Sequence, residues 1–467
     1  MKQLFLILLA LALLINAAPV AAQEPTLPSG PIYIIQPGDT LSNIAARFNV
    51  PLADLMSANN ITNANAISAG AQLIIPGLEG LSGYLVTEVV PYGDNLLSLS
   101  RRYQVSPALL SRLNRITSPT ELYAGISLVV LQDALNISPL AARFGLETGQ
   151  TLLEQAVLQQ TNPWRIADAN GLSGTWQAMP GDVLYSPVPD AESTASGLPS
   201  SILSAEVPTL PLKQGGTAVI NARVQPGVSL NGVLVDKPLQ FFPNGDGLTA
   251  LQGVHALLKP GVYPLRLEAT LPDGSKQSFE QMVVVRSGDY PDDPVLIVEP
   301  ATIDVAVTEP ENQQIEAITS FATPERYWDG RFTSPGYDPT CFTSRYGNRR
   351  TYKSTDGITS IQGFHTGADF CGGQGLPIVA PANGKVVFAG PLTVRGNATI
   401  IDHGWGVFSG IWHQSEIKVQ VGQQVQAGEL IGIVGGTGRV TGAHLHWELW
   451  VNGVQVNPID WLDNRYP

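Results

Sequence analysis

Gly442-Ala443-His444-Leu445-His446-Trp447-Glu448-Leu449 places two histidines two residues apart in an alternating run that meets Asn452-Gly453, a hairpin-turn dipeptide. The pattern predicts one strand entering a hairpin. Strand side chains alternate faces, so His444 and His446 point the same way and can share a small reaction centre. An H-x-H pair alone is also compatible with two satisfied surface histidines. Its setting decides the matter, because five of the six histidines in 467 residues lie between His365 and His446. The sixth, His255, falls in a strand-rich stretch and reads as structural.

Short strands surround these histidines, at Ala398–Asp402, Val407–His413, Glu429–Val434 and Ala443–Val451, which predicts an antiparallel sheet curved over a groove. His365 and Asp369 stand four apart in Gly363-Phe364-His365-Thr366-Gly367-Ala368-Asp369-Phe370, where glycines let both turn inward. With one histidine of the later pair they make a His/Asp/His set. Three protein ligands and an open fourth position are the layout of a catalytic zinc. Such a metal lowers the pKa of bound water and polarises a scissile carbonyl. No H-E-x-x-H helix supplies a glutamate base, so the base is a histidine: His413 or the non-ligand member of the pair.

Hydrophobic content of 44% against 14% charged residues predicts folded modules rather than a disordered chain. A net charge of −13 without a basic run excludes a nucleic-acid partner. Lys2, the apolar run Leu4 to Ile15 and Ala17-Ala18-Pro19-Val20-Ala21-Ala22 predict a signal peptide over 1–22. The run is too short to span a bilayer, so the mature chain is expected to be exported without a transmembrane segment, to a periplasm, cell envelope or extracellular space. In that compartment Cys341 and Cys371 are expected to form a disulfide; neither has a C-x-x-C partner for zinc.

Before the histidine-rich part comes an array. Gly38, Phe48, Val50, Asn59, Gly70 and Leu73 recur 55 residues on as Gly93, Tyr103, Val105, Asn114, Gly125 and Leu128. A third copy lies 56 further on, at Gly149, Asn170, Gly181 and Leu184, with Gln159 at the aromatic position. Helical spacing of Leu41, Ile44, Ala45 and Phe48, a second short helix after Pro51 and a strand at Gly70–Pro76 give a strand–helix–helix–strand unit. The expected limits are 33–77, 84–132 and, degenerate, 137–187. A Ser/Pro/Gly-rich linker follows over 188–208. Strand patterns at Ala218–Val224, Val228–Val235, Val262–Ala269 and Gln277–Arg286 predict an immunoglobulin-like β-sandwich over 209–288 that positions its neighbours. A connector with a short helix at Glu311–Phe321 spans 289–330, and the last domain 331–467.

Gln36-Pro37-Gly38-Asp39-Thr40-Leu41 and Ile74-Ile75-Pro76 resemble LysM domains; the second copy departs at Tyr92-Gly93-Asp94-Asn95-Leu96, and the third departs further. This resemblance implies binding of N-acetylglucosamine-containing glycan, chiefly peptidoglycan. Ser344-Arg345-Tyr346-Gly347, His365-x-x-x-Asp369, Ile401-Asp402-His403-Gly404, Trp412-His413, Gly435-Gly436-Thr437-Gly438 and His444-Leu445-His446 resemble lysostaphin/LytM-type zinc endopeptidases. That resemblance implies His365, Asp369 and His446 as ligands of one Zn2+, and His413 and His444 as catalytic histidines. The family's Tyr-Ala-His is here Ile411-Trp412-His413, which alters the groove wall. His403 is expected to be structural, and Glu448 either solvated or a partner that orients a histidine. The expected chain is thus multidomain: α+β LysM modules, a β-sandwich and a mainly antiparallel β peptidase domain cutting stem or cross-bridge peptides. The alternative is a catalytically silent adaptor that activates another wall hydrolase; an enzyme held latent by its own N-terminal segments is compatible with the first reading.

Overall fold

The computed structural model describes residues 30–78, 80–134 and 138–467; the leader over 1–22 lies outside the described residues. Two units are distinguished. One comprises the chain up to 87 with 129–138, the other 88–128 with 139–467.

Equivalent positions of the three repeats start a helix by the same means. Thr40, Asn95 and Thr151 each accept a hydrogen bond from backbone N–H groups of the first turn. Leu41–Phe48, Leu96–Tyr103 and Leu152–Leu158 follow, and then the second helices Leu52–Ala58, Pro107–Asn114 and Pro163–Ala169. The recurring asparagine has a structural task. Asn59 donates to Leu55 O and Ile74 O and accepts from Ile74 N, clipping the second helix to the closing strand. Asn170 does the same with Ile166 O, Tyr185 O and Tyr185 N. The third copy therefore keeps the fold, with strands Arg143–Gly145 and Val183–Tyr185 paired. Gln159 replaces the aromatic contact with a hydrogen bond from Ser186 Oγ at 2.8 Å.

The middle domain is a β-sandwich. A five-stranded sheet includes Ser229–Leu234, Gly261–Thr270 and Lys276–Arg286; a four-stranded sheet includes Gly247–Gly253, Thr217–Val224 and Ile202–Glu206. This last strand corrects the expected linker. Ile202 and Ala205 both enter the sandwich core because the ladder shifts register between Ile202 and Ser204, so no simple alternation marks the strand in the sequence.

The C-terminal domain is built on a ten-stranded, mainly antiparallel sheet. Along it lie, in order, Phe342–Ser344, Gly367–Phe370, Leu445–Val451, Val407–Ile417, Gly396–Gly404 and Gly384–Leu392. Cys341 and Cys371 form a disulfide at the ends of the first two of these strands. The connector contributes more than the expected helix. Leu296–Val298 pairs in parallel with Arg349–Ser354, and the helix runs Val305–Thr319, starting before Pro310 because Asp304 caps it. Glu311 anchors that helix by accepting from Val394 N, Arg395 N and the Arg395 guanidinium. Sandwich and C-terminal domain share one core: Val219, Phe242 and Leu251 pack with Trp328, Trp405 and Trp461.

Replacing Asn170 by Leu leaves Tyr185 N–H without its acceptor inside the third repeat. The expected cost is about 1–3 kcal/mol, read as lost hydrogen-exchange protection at the Tyr185 amide while amides of the 445–451 strand keep theirs.

Candidate active site

The site begins with a cross-strand pair. Gly367–Phe370 runs antiparallel to Leu445–Val451 with Asp369 opposite His446. The close approach depends on Gly367, since a Cβ there would sit 2.2 Å from Trp447 O and 2.8 Å from His446 Nε2. His446 Nδ1 lies 2.6 Å from Asp369 Oδ1. His365, two residues before that strand, places Nε2 3.1 Å from the same oxygen and 3.1 Å from His446 Nδ1. All three side chains are buried.

Protonation follows from the outer contacts. His365 Nδ1 is 2.8 Å from Arg345 O, a carbonyl that can only accept, so Nδ1 carries the proton and Nε2 presents a lone pair. His446 Nε2 faces Glu448 Oε1 at 3.2 Å and donates to it, so Nδ1 carries the lone pair in the neutral ring. Glu448 is buried, which corrects its reading as a solvated glutamate; it also accepts from Thr366 Oγ1 and Gln455 Nε2. Burial opposes its charge, but the hydrogen bond and charge of His446 outweigh it and hold the carboxyl below its usual range. Burial likewise works against ionised Asp369, yet His446, His365 and His444 keep it well below the usual carboxylate range. For His446 burial disfavours the cation, while the two carboxylates raise its pKa. Three electron-pair donors thus converge within 2.6–3.1 Å of one another. Groups so placed repel unless protons or a shared metal cation lie among them, and two imidazoles with one carboxylate suit zinc. These residues fit a metal ion.

His413 and His444 complete the cluster. The ladder passes from Thr399↔Ile411 to Asn397↔Gln414, so Val407–Ile417 carries an extra residue there. His413 sits in this bulge with φ +62°, a left-handed conformation that a non-glycine residue adopts only when its surroundings enforce it. The bulge turns its ring to 5.1 Å from that of His444 and 5.9 Å from that of His446. His413 Nδ1 donates to Thr437 O and His444 Nδ1 to Gly442 O, each at 2.8 Å. In the neutral ring each Nε2 therefore carries the lone pair. Burial, with the neighbouring histidines, lowers the pKa of His413 to about 3. A groove of about 850 Å³ runs past these residues, walled partly by connector residues Asp293, Leu296, Asn312 and Glu316.

The remaining histidines lie outside the cluster. His255 Nδ1 accepts from Leu257 N–H, and its ring meets Phe364 edge-on. His403 is fully buried, with Nδ1 donating to Asn383 O and Nε2 accepting from Ser409 Oγ, which in turn accepts from Trp447 Nε1. It props the site strand from behind. Sequence reasoning missed Arg350, whose guanidinium contacts Asp293, Ser344 and Asp369. The signal was an arginine in strand Arg349–Ser354, whose partner, in the connector, is 57 residues away.

Comparison with known proteins bears on this geometry. Residues 363–458 match peptidase family M23, and residues 33–76 and 89–130 match the LysM domain. The chain carries an M23 domain at its C-terminal end and LysM domains toward its N-terminal end. It is 45% identical over 95 residues to DD-carboxypeptidase/endopeptidase Mpg of Neisseria meningitidis serogroup B, covering 20% of this chain and 22% of that protein. It is 38% identical over 115 residues to peptidoglycan DD-endopeptidase ShyA of Vibrio cholerae, covering 25% and 26%. With murein hydrolase activator NlpD of Salmonella typhimurium it shares 36% identity over 114 residues, 24% of this chain and 30% of that one. The chain thus spans between about a fifth and a third of the length of these relatives.

Two outcomes test this description. Burial holds the His403 pKa down to about 4, from an ordinary 6.5, so the native state favours neutral imidazole. Its contribution is complete above pH 6.5 and is lost as pH falls from there through 4, about 1.4 kcal/mol per pH unit. His403→Gln is expected to lower the slope of unfolding free energy against pH by about one proton in that window, measured by denaturant titration at several pH values. Separately, Glu448→Gln weakens the orientation of His446 and is expected to reduce zinc affinity about 10–100-fold in chelator competition.

Proposed function

We propose that the chain is an exported zinc-dependent endopeptidase that hydrolyses peptide bonds of peptidoglycan, held on the wall by its glycan-binding LysM repeats. The observation that carries this reading is the convergence of His365 Nε2, Asp369 Oδ1 and His446 Nδ1, with two further imidazoles beside it. His365, Asp369 and His446 would hold one zinc ion. When bound there, zinc supplies Lewis acidity, polarising a peptide carbonyl and making water more acidic.

The chain's own groups do the rest. His413 and His444 present unprotonated Nε2 atoms on one side of the ligand set. One accepts the proton of the attacking water and returns it to the departing amine. The imidazolium formed beside the developing oxyanion donates a hydrogen bond to it. The low pKa of His413 keeps its imidazole neutral throughout the physiological range. Binding through the N-terminal repeats raises the concentration of stem and cross-bridge peptides at the groove without a new contact at the reacting bond. A wall substrate places the protein in the periplasm, the cell envelope or outside the cell. Among the described residues no helix is long and apolar enough to cross a membrane.

The likeness to a murein hydrolase activator favours a second reading, in which the domain binds and stimulates another hydrolase. Purified protein is expected to contain about one zinc per chain, and His446→Ala to lose both metal and the release of muropeptides from purified sacculi. His413→Asn tolerates the left-handed backbone; it should keep the metal and lose activity by about 10²–10⁴-fold. Sacculus hydrolysis that depends on a second hydrolase and survives His446→Ala would instead establish the activator.

A further inference from the structure

Three guanidiniums line the groove, and they differ in what neutralises them. Arg350 pairs with Asp293 at 3.0 Å and Asp369 at 3.3 Å, and Arg395 pairs with Glu311 at 2.8 Å. Arg439 makes no ion pair among the described residues. Its backbone N–H donates to Val394 O at 2.7 Å and its Nη1 to Thr302 O at 3.1 Å. Its guanidinium carbon lies 4.4 Å over the Tyr352 ring. Glu316, exposed on the Val305–Thr319 helix, shares the groove and makes no ion pair with Arg439.

A guanidinium drawn from water onto a groove wall without a carboxylate partner is electrostatically incomplete. The ring beneath it and the single carbonyl bond fix the plane of the fork while leaving other N–H donors for a ligand. A fixed planar fork of this kind suits a carboxylate, which it can hold by two parallel hydrogen bonds. Arg439 stands five residues before His444 on the loop that enters the site strand, and both line the same groove.

We propose that Arg439 binds a free carboxylate of the peptide substrate and thereby selects which peptides reach the zinc-binding histidines. This rests on the endopeptidase reading. The carboxylate comes either from the peptide's C-terminus or from a side chain flanking the scissile bond, and the fork chemistry is the same for both. The site is a specificity determinant, so its effect falls mainly on KM.

The test uses the full zinc-loaded chain and matched wall-stem peptides. One pair differs as carboxylate or carboxamide at the C-terminus, the other at a side chain beside the cleaved bond. The expected result is a kcat/KM ratio of carboxylate to amide of about tenfold or more in one pair. Arg439→Gln should bring that ratio to within about twofold, and Arg439→Lys should leave an intermediate value. A ratio near one for both pairs in the wild type, or one unchanged in Arg439→Gln, overturns the proposal. If Arg439→Gln fails to fold by thermal unfolding, Arg439→Lys decides, and an unchanged ratio there also overturns it. Calorimetric binding of the same peptides to the zinc-free protein is read in parallel. Carboxylate-dependent binding lost in Arg439→Gln, with no peptide cleaved, upholds Arg439 and removes the endopeptidase reading.

Discussion

The pairing of Asp369 with His446 across two adjacent strands is the constraint on which the C-terminal domain turns. Cross-strand partners face the same side of a sheet, so this register sets a carboxylate against an imidazole with no freedom left to either. A slip of one residue would send His446 into the core and bring Leu445 or Trp447 into the groove. Neighbouring features guard against that slip. Trp447 and Leu445 are buried among core side chains, Gly367 permits the close approach, and the disulfide ties down the end of the carboxylate strand.

On the other side of the site strand, His446 pairs with Trp412, the residue before His413. Regular alternation would turn His413 away from the face that His446 occupies. One extra residue in the strand and a left-handed backbone at His413 bring it round. This irregularity of the ladder thus serves the residue whose chemistry requires it, while Asp369 and His446 face each other across an unbroken stretch of ladder.

Much of this was legible in the chain itself, for definite reasons. Alternation around His444 and His446 carries the strand, and the regular spacing of Gly38, Asn59 and Leu73 carries the repeats, because both are local patterns with short periods. The clustering of five histidines marked where chemistry lay. Hidden were contacts joining distant segments. Arg350 with Asp293, Glu311 with Arg395 and Glu448 with Thr366 each pair residues 57, 84 and 82 positions apart, and no periodicity announces them. The strand Ile202–Glu206 escaped for another reason: two buried residues among serines and prolines are too few to mark a strand. Glu448 was readable as sharing a face with the histidines, but only the closure of the groove around it shows that it is dry.

The shared core of the sandwich and peptidase domains alters what counts as a separable piece. Phe242 stacks on Trp405 at 5.3 Å, Trp461 donates to Thr217, and Asn457 N–H bonds Gly215 O. Gly253 lies against Val454, in the hairpin that continues the His446 strand. Cutting the chain near residue 288 would divide one hydrophobic interior and wet the tryptophans that brace the far end of the site strand. The boundary drawn from composition is therefore a seam in the sequence but not in the energetics. A fragment that keeps this shared interior runs from about residue 200 to the C-terminus, which makes the sandwich a part of the C-terminal domain's foundation rather than its spacer.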